Sequence, residues 1–165
     1  MDIKELYQEI VLDHGKNPRN KKKCEGFNKD AKGHNPLCGD KIHVFLKLDK
    51  DKKVADISFE GEGCAISMAS ASIMTETIKG KEFNVAKKIL EHFLNMLKEG
   101  SKLSVNSLSE DENTTMMSLS GVKRFPMRVK CATLAWHTFL HAAEDKNETV
   151  NTEKWSNEWF KRKNN

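Results

Sequence analysis

Apolar residues recur every three or four positions in several stretches of the chain, and this spacing is typical of amphipathic helices. The predicted helices cover residues 2–13, 64–79 and 84–99, and a last core helix begins at Pro126. Glycines at positions 15, 80 and 100 lie just after the ends of the first three predicted helices. Asn84 is the expected N-cap of the third helix. The second helix is rich in alanine and serine, so another element should be able to approach it closely.

Strict alternation of apolar and polar residues predicts two strands. Residues 41–48 and 54–60 carry this alternation, and the polar turn at residues 49–52 between them predicts a β-hairpin. The residues that share an apolar face are Ile42, Val44, Leu46 and Leu48 on the first strand and Ala55, Ile57 and Phe59 on the second. Residues 16–40 are rich in lysine, glycine and asparagine, and we expect an irregular arm there. Residues 101–121 show no dominant period.

Composition restricts the class of protein. With 165 residues, of which 38% are hydrophobic and 32% charged, the chain suits one globular domain with a hydrophobic core. No apolar run is long enough to span a bilayer and no secretory signal is visible, so we expect a cytosolic protein. The net charge of +4 is spread over many lysines, which indicates a solvated surface. We therefore expect neither a nucleic-acid partner nor a membrane partner.

Four cysteines carry the candidate chemistry, because thiols that stay reduced in the cytosol serve as metal ligands or reactive groups rather than as disulfides. Cys38 and Asp40 flank Gly39, whose backbone freedom can turn a sulfur and a carboxylate toward one point. Cys64 opens a predicted helix, where thiol pKa values fall, and Cys131 lies near the start of the last one. Three thiolates and a carboxylate form a ligand set suited to zinc. The same thiols could carry sulfur or hold an iron–sulfur cluster.

Cations near this ligand set would offset its charge, since it stays negative after a zinc ion binds. Arg128 lies three residues before Cys131 and therefore on the same helix face. Lys41 directly follows Asp40 in the sequence. Lys130 adjoins Cys131 but should point elsewhere on a regular helix.

Three other signals are weaker. Cys24 has no companion ligand nearby in the sequence, and we interpret it as incidental. Gly61-Glu62-Gly63 before a helix hints at phosphate binding but lacks the Gly-Lys-Ser/Thr of a P-loop. His137 and His141 lie four residues apart without the glutamate of the His-Glu-x-x-His motif, so a role on the helix surface is favoured.

Three segments together resemble the IscU/NifU-like family of iron–sulfur assembly proteins. They are Asn-Pro-Leu-Cys-Gly-Asp around Cys38, Gly-Glu-Gly-Cys-Ala-Ile-Ser-Met-Ala-Ser-Ala-Ser from Gly61, and Arg-Val-Lys-Cys-Ala-Thr-Leu-Ala-Trp from Arg128. The opening Leu6-Tyr7…Asp13-His14…Lys16-Asn17-Pro18-Arg19-Asn20 makes the match nearest to the SufU-like branch, and the resemblance covers about residues 3–143. It implies an α+β fold, in which a small antiparallel β-sheet packs against several helices on one face.

The domain organisation follows from the same match. We expect one SufU/NifU-like domain over residues 1–145 and a polar C-terminal extension over residues 146–165. Within that extension Trp155, Trp159 and Phe160 have helical spacing, which predicts a short helix.

The SufU-like resemblance implies zinc bound by Cys38, Asp40, Cys64 and Cys131. It also makes Cys38 the acceptor of persulfide sulfur from a SufS-type cysteine desulfurase, and downstream iron–sulfur scaffold proteins would take the sulfur onward. Arg128 matches an arginine thought to support the site. Whether the chain counts as an enzyme stays open, because such a protein is a sulfurtransferase-type partner that stimulates the desulfurase.

Two alternatives remain at this point. IscU-like scaffolds have a histidine directly before the third cysteine, where this chain has Lys130, and SufU-like proteins carry an insertion that residues 101–121 fit. Both features favour the SufU-like branch over the scaffolds. The first alternative is still a scaffold that assembles and transfers a 2Fe–2S cluster on the same cysteines. The other is a structural module in which zinc only holds the fold.

Overall fold

The structure is a computed structural model that describes residues 2–100 and 102–153. Its helices are α1 (Ile3–Leu6), α2 (Leu12–Lys16), α3 (Ala65–Ile78), α4 (Phe83–Glu99), α5 (Glu110–Met117) and α6 (Pro126–Ala143). Its strands are β1 (Lys29–Asn35), β2 (Asp40–Leu48), β3 (Val54–Glu62) and β4 (Val150–Asn151). A π-helical segment, Tyr7–Val11, joins α1 to α2, and a 3₁₀ segment, Ser118–Arg124, follows α5. None of the described helices combines the length and the apolarity needed to cross a bilayer.

The strands form one four-stranded sheet in the order β3-β2-β1-β4. Strands β1, β2 and β3 pair antiparallel, whereas the short β4 lies parallel to β1. Helix α6 packs across β1 and β2, and α3 packs beside β3. The predicted α+β class is therefore confirmed, and so is the hairpin formed by β2 and β3.

The prediction of an irregular arm over residues 16–40 is wrong for its second half, because β1 lies there as an inner strand. Its buried positions are Ala31, Gly33 and Asn35, which carry little apolar surface. Bulky residues would not fit there, since a Cβ on Gly33 would come within 2.9 Å of Leu134 Cδ1 in α6. Hydrophobic periodicity needs large inward side chains and could not detect such a strand.

The predicted apolar face of β3 is wrong at one position. Ala55 is exposed, whereas its neighbour Val54 is fully buried. The pairing register shifts where Leu48 lies opposite Val54, and the resulting β-bulge leaves Ala55 out of the alternation. Ile57 and Phe59 lie in the core as predicted.

The predicted second, third and last helices are confirmed as α3, α4 and α6. The N-cap of α4 is Glu82 rather than Asn84, because the helix begins at Phe83, two residues before the first helical position that a cap at Asn84 would give. Gly100 ends α4 with φ +72°, the left-handed conformation that favours glycine at a helix end. The first helical stretch continues to Lys16, and its π-helical middle has no counterpart in the sequence pattern.

The small side chains of α3 let α6 pack closely against it, as the sequence indicated. Ser70 lies at the contact, where its hydroxyl donates to the backbone carbonyl of Ala132 and accepts a 3.0 Å hydrogen bond from the Trp136 indole. Trp136 stacks in turn on Phe93 of α4, with ring centroids 4.5 Å apart. Close packing of this kind holds α3 and α6 in fixed relative positions.

Residues 101–121 contain α5 and the first part of the 3₁₀ segment. Ser109 and Glu112 form a capping box that begins α5, and Met116 and Leu119 are buried. The periodicity of apolar residues did not predict this helix, because the helix is short and carries few apolar residues.

The domain boundary near residue 145 stays a prediction. Beyond it, β4 joins the sheet and Thr152 is buried. The predicted helix around Trp155, Trp159 and Phe160 lies outside the described residues.

Gly33→Ala should destabilise the fold, because the added methyl group would press on Leu134 and Thr138 at the contact between β1 and α6. We expect the free energy of unfolding to fall by about 1–3 kcal/mol, the usual cost of overpacking a core. Urea unfolding followed by circular dichroism would measure it. Lys32→Ala, at the exposed neighbouring position, is the matched control and should change stability by less than about 0.5 kcal/mol. Equal stability of the two variants would contradict this packing.

Candidate metal centre

The loop between β1 and β2 carries Cys38 at one end of the sheet. Asn35 and Asp40 pair directly across the two strands, so residues 36–39 alone connect them. The amide of Gly39 donates to the Asn35 carbonyl at 2.9 Å, and Gly39 has φ +72°, a conformation that other residues adopt at a cost. The tight turn sets a partly exposed Cys38 next to a fully buried Asp40.

Cys64 reaches the same place from the end of β3. Its backbone amide donates a 2.9 Å hydrogen bond to Asp40 Oδ1. Cys64 is also the N-cap of α3, and its sulfur accepts a 3.4 Å hydrogen bond from the Ser67 amide. Gly63 is required before it, because a Cβ at that position would come within 3.0 Å of the Asp40 carboxylate carbon.

Cys131, in the second turn of α6, completes the group. Its side chain is fully buried, and its sulfur lies 3.4 Å from the Cys38 sulfur. One ligand atom from each of Cys38, Asp40 and Cys131 lies within 4.8 Å of the other two. Two sulfur ligands of a tetrahedral zinc ion, each about 2.3 Å from the metal, lie roughly 3.8 Å apart. These three atoms are therefore close to the spacing that one ion requires.

Cys64 lies beside this trio rather than within it. The Cys64 sulfur is 4.0 Å from Asp40 Oδ2. The same sulfur accepts a hydrogen bond from the Cys131 thiol. The structure thus brings all four predicted ligands to one place. Their binding to a metal, and the fourth-ligand role of Cys64 in particular, stays a prediction.

The thiols at this site lie in contrasting electrostatic environments. The hydrogen bond from Cys131, together with the Ser67 amide at the helix N-terminus, lowers the pKa of Cys64 to about 6. The same hydrogen bond and burial raise the pKa of the Cys131 thiol. In the metal-free chain, Cys64 therefore loses its proton more readily than Cys131. Arg128 lies close enough for the charges of Cys64 and Cys131 to raise its own pKa.

A metal cation fits this site on physical grounds. The Asp40 carboxylate is fully buried, and a buried carboxylate is costly unless it is paired or bound to a metal. Its hydrogen-bond donors include the neutral amides of Cys64 and Asn35, and the Cys64 sulfur lies 4.0 Å from Oδ2. Within residues 2–100 and 102–153, no lysine or arginine forms an ion pair with it. Zn²⁺, which binds sulfur and carboxylate ligands in tetrahedral sets, suits these donors.

Of the three candidate cations in the sequence, Arg128 faces the site and the other two do not. Successive side chains of a strand point to opposite faces, so Lys41 lies on the outer face of the sheet while Asp40 is buried. The sequence suggested Lys41 as a cation that offsets the charge of the site, and this suggestion is wrong. Lys130 forms a 2.9 Å ion pair with Glu153 and points elsewhere, as predicted. The supporting role of Arg128 stays a prediction.

Cys24 lies outside this centre. Its side chain is buried, its thiol donates to Asp56 at 3.3 Å, and burial beside this carboxylate raises its pKa to about 11. Such a thiol is nearly inert at neutral pH, in keeping with an incidental role. His137 is buried in the core rather than placed on the helix surface, and neither it nor His141 belongs to the metal-capable group of the described chain.

An open groove of about 950 Å³ begins at Cys64 and runs between the N-terminal helical turns and the start of α6. Its lining includes the exposed side chains of Leu12, Phe125 and Met127. A cluster of exposed large apolar side chains is typical of a protein-docking surface. The periodicity of apolar residues did not predict this groove. Phe125 and Met127 flank a proline at the start of a helix, and neither belongs to a repeating apolar stripe.

The fold and this site define a small α+β protein that gathers three thiols and one carboxylate at the end of its sheet. The profile of the NifU-like N-terminal domain matches residues 6–132. The chain therefore belongs to the NifU-like N-terminal domain family, as its sequence motifs indicated.

Relatives of two named kinds match most of the chain. It is 45% identical over 134 residues to the zinc-dependent sulfurtransferase SufU of Bacillus subtilis, covering 79% of this chain and 84% of that protein. It is 37% identical over 140 residues to the iron–sulfur cluster assembly scaffold protein IscU of Streptococcus pyogenes, covering 85% and 84%. A crystal structure of a candidate scaffold protein for the SUF system from Fervidobacterium islandicum matches with a TM-score of 0.72 at 34% identity, over 84% of this chain and 97% of that one.

Gly63→Ala should weaken metal binding, because the added methyl group would displace the Asp40 carboxylate. We expect Zn²⁺ affinity to fall at least about tenfold, measured by competition with a chromogenic chelator. Gly80→Ala is the matched control, since Gly80 also has a positive φ of +85° but an added Cβ would meet open space. Equal Zn²⁺ affinities for the two variants would argue against Asp40 as a ligand.

Proposed function

We propose that the chain is a zinc-dependent sulfur acceptor in iron–sulfur cluster biogenesis, with Cys38 receiving sulfur from a SufS-type cysteine desulfurase. One observation carries the proposal. Of the three side chains within ligand distance of one another, Asp40 and Cys131 are fully buried, whereas Cys38 is partly exposed on a short loop. A protein donor could therefore reach Cys38 while the buried pair stays in place. The B. subtilis relative that is named for zinc-dependent sulfur transfer supports the same assignment.

We assign Cys38, Asp40, Cys64 and Cys131 as the zinc ligands. When bound, zinc keeps the thiols deprotonated and guards them against oxidation. The chain itself supplies the rest. The Asn35 and Cys64 amides orient the carboxylate of Asp40, and packing against α3 fixes the helix that carries Cys131.

The proposed transfer is an exchange of the thiol–disulfide type. The Cys38 thiolate attacks the terminal sulfur of a persulfide on the donor. A sulfur–sulfur bond forms on Cys38 while the donor's sulfur–sulfur bond breaks and the donor cysteine leaves as a thiolate, so no net oxidation or reduction occurs. The guanidinium of Arg128, beside the other two thiols, offsets the negative charge that this exchange moves through the site.

We place the desulfurase on the groove that begins at Cys64. The groove adjoins the site directly, and its exposed Leu12, Phe125 and Met127 provide apolar surface of the kind that a protein partner buries. Arg124 also lines it, so an acidic rim on the donor would complement it. Downstream iron–sulfur scaffold proteins would take the sulfur from Cys38, and the cytosol expected from the sequence is the location in this proposal.

A cluster-assembling scaffold is the second candidate, because relatives named as IscU scaffolds match as much of the chain. The residue before Cys131 weighs against it. This residue is Lys130 rather than the histidine of IscU-like scaffolds, and it is tied to Glu153. A scaffold would gain iron, acid-labile sulfide and visible absorption on anaerobic reconstitution, whereas a sulfur acceptor should purify with about one zinc per chain.

Cys38→Ala should abolish stimulation of a SufS-type cysteine desulfurase, because it removes the sulfur that accepts the persulfide. We expect turnover with this variant to equal that of the desulfurase alone, measured as alanine released from cysteine. Cys24→Ala is the matched control and should stimulate fully, since Cys24 lies outside the centre. Stimulation by Cys38→Ala at the wild-type level would refute the acceptor role. A zinc-bound wild-type chain that stimulates nothing would favour a structural module.

Met127→Glu should raise the concentration of the chain needed for half-maximal stimulation by about tenfold, because a charge replaces apolar surface in the groove. Its zinc content should match that of the wild type, since only the Met127 side chain changes. Asn84→Glu adds the same charge at an exposed position of α4 outside the groove lining and should have no effect. Indistinguishable titrations of the desulfurase with these two variants would show that the donor docks elsewhere.

A further inference from the structure

A short segment near the end of the described chain reaches back to the metal centre. We call residues 150–153 the C-terminal clip. Its strand, β4, runs parallel to β1 in a register that sets Thr152 beside Asn35. The family profile ends at residue 132, so the clip lies beyond the matched part of the chain.

Asn35 is the residue that connects the clip to the predicted ligands. Its side chain is fully buried, and its amide nitrogen lies 3.4 Å from Asp40 Oδ2 and 3.5 Å from Cys131 Sγ. Its amide oxygen accepts a 3.1 Å hydrogen bond from the Thr152 hydroxyl, which is also fully buried. All polar atoms of this amide are thereby used, with the donor end at the centre and the acceptor end at the clip.

The orientation of this amide matters because its two ends have opposite polarity. With the nitrogen toward the centre, it donates to a carboxylate and to a sulfur. Turned over, its oxygen would face the acceptor atoms of Asp40 and Cys131, which is unfavourable in a buried site. The useful orientation leaves the Asn35 oxygen pointing at the sheet edge. There the hydroxyl of Thr152 satisfies it.

We propose that Asn35 is a positioning residue for the metal ligands and that Thr152 holds it in the orientation that serves them. The inference rests on the proposed function, since it takes Cys38, Asp40 and Cys131 as ligands. Hydrogen bonds behind the ligands align them before the ion arrives, so losing one lowers metal affinity. The Asn35 backbone adds to this role, because its carbonyl closes the loop that carries Cys38.

A second contact fixes the other end of the clip to α6. Glu153 forms a 2.9 Å ion pair with Lys130, the residue before Cys131. The Glu153 amide also donates to the Asn151 side chain at 2.9 Å, directly after β4. The clip is therefore attached to the sheet through β1 and to the helix through Lys130. These two attachments keep the Thr152 hydroxyl in place between them.

Thr152→Val removes the hydroxyl with almost no change in volume, and Thr152→Ser retains it, so the two variants isolate the hydrogen bond. Competition between each full-length chain and a chromogenic chelator gives its Zn²⁺ affinity. We expect Thr152→Val to bind Zn²⁺ about tenfold more weakly than the wild type. Thr152→Ser should stay within about twofold. In a chain that carries Asn35→Ala, adding Thr152→Val should cost nothing further, because the partner of the hydroxyl is already gone.

A merely structural role would lower the thermal midpoint of the metal-free Thr152→Val chain and leave its Zn²⁺ affinity unchanged, and that result would overturn the inference. Equal Zn²⁺ affinities for Thr152→Val and Thr152→Ser would overturn it too. If Thr152→Val does not fold, Thr152→Ala set against Thr152→Ser provides the same comparison. A wild-type chain that binds zinc but stimulates no desulfurase would refute the proposed function without affecting these affinities, whereas one that binds no zinc would refute both.

Discussion

The buried carboxylate of Asp40 is the constraint on which the functional end of this protein depends. Asp40 begins β2 and lies opposite Asn35 of β1. Its carboxylate accepts a hydrogen bond from the backbone amide of Cys64 at the start of α3. A carboxylate at this depth is stable only when its oxygens are bound, so these elements must converge on it. Helix α6 packs on the same strands and brings Cys131 to the group. The amides that donate to Asp40 are neutral, and a metal ion would add the positive charge that they lack.

Rigidity is distributed unevenly around this site, and that distribution suits sulfur transfer. Cys131 lies in a helix that is locked against α3 and β1, and Asp40 is held by the sheet. Cys38 instead lies in a short loop with partial exposure, and a loop residue can move without disturbing a packed core. A sulfur acceptor must keep its nucleophile guarded at rest and release it to a donor. In the proposed function, the buried ligands Asp40 and Cys131 belong to the sheet and to a packed helix, whereas the acceptor Cys38 belongs to a partly exposed loop.

The sequence predicted the parts of this molecule that carry strong local signals. The cysteine motifs and the glycines beside them pointed to the four residues that the structure brings together, and the periodicity of bulky apolar residues predicted α3, α4, α6 and the hairpin. Strand β1 was missed because its buried positions, such as Gly33 and Asn35, are small or polar, and only the close approach of α6 explains them. Thr152 was missed for a different reason. Its partner lies more than a hundred residues earlier in the chain, and no local pattern reports a contact of that separation.

The position before Cys131 indicates why release of Cys38 would depend on a partner in the proposed function. Relatives named as sulfurtransferase and as scaffold both match this chain over similar lengths, so overall similarity does not separate the two roles. In this chain the side chain at that position, Lys130, is drawn away by Glu153 and is a cation, which cannot bind a metal ion while protonated. The centre therefore holds no spare ligand of its own at that position. If Cys38 leaves a bound ion to carry sulfur, Lys130 could not take its place, and a ligand from the docked donor protein would be one replacement. Release of the nucleophile would in that case be coupled to docking, which would protect the thiol from wasteful reaction in the free protein.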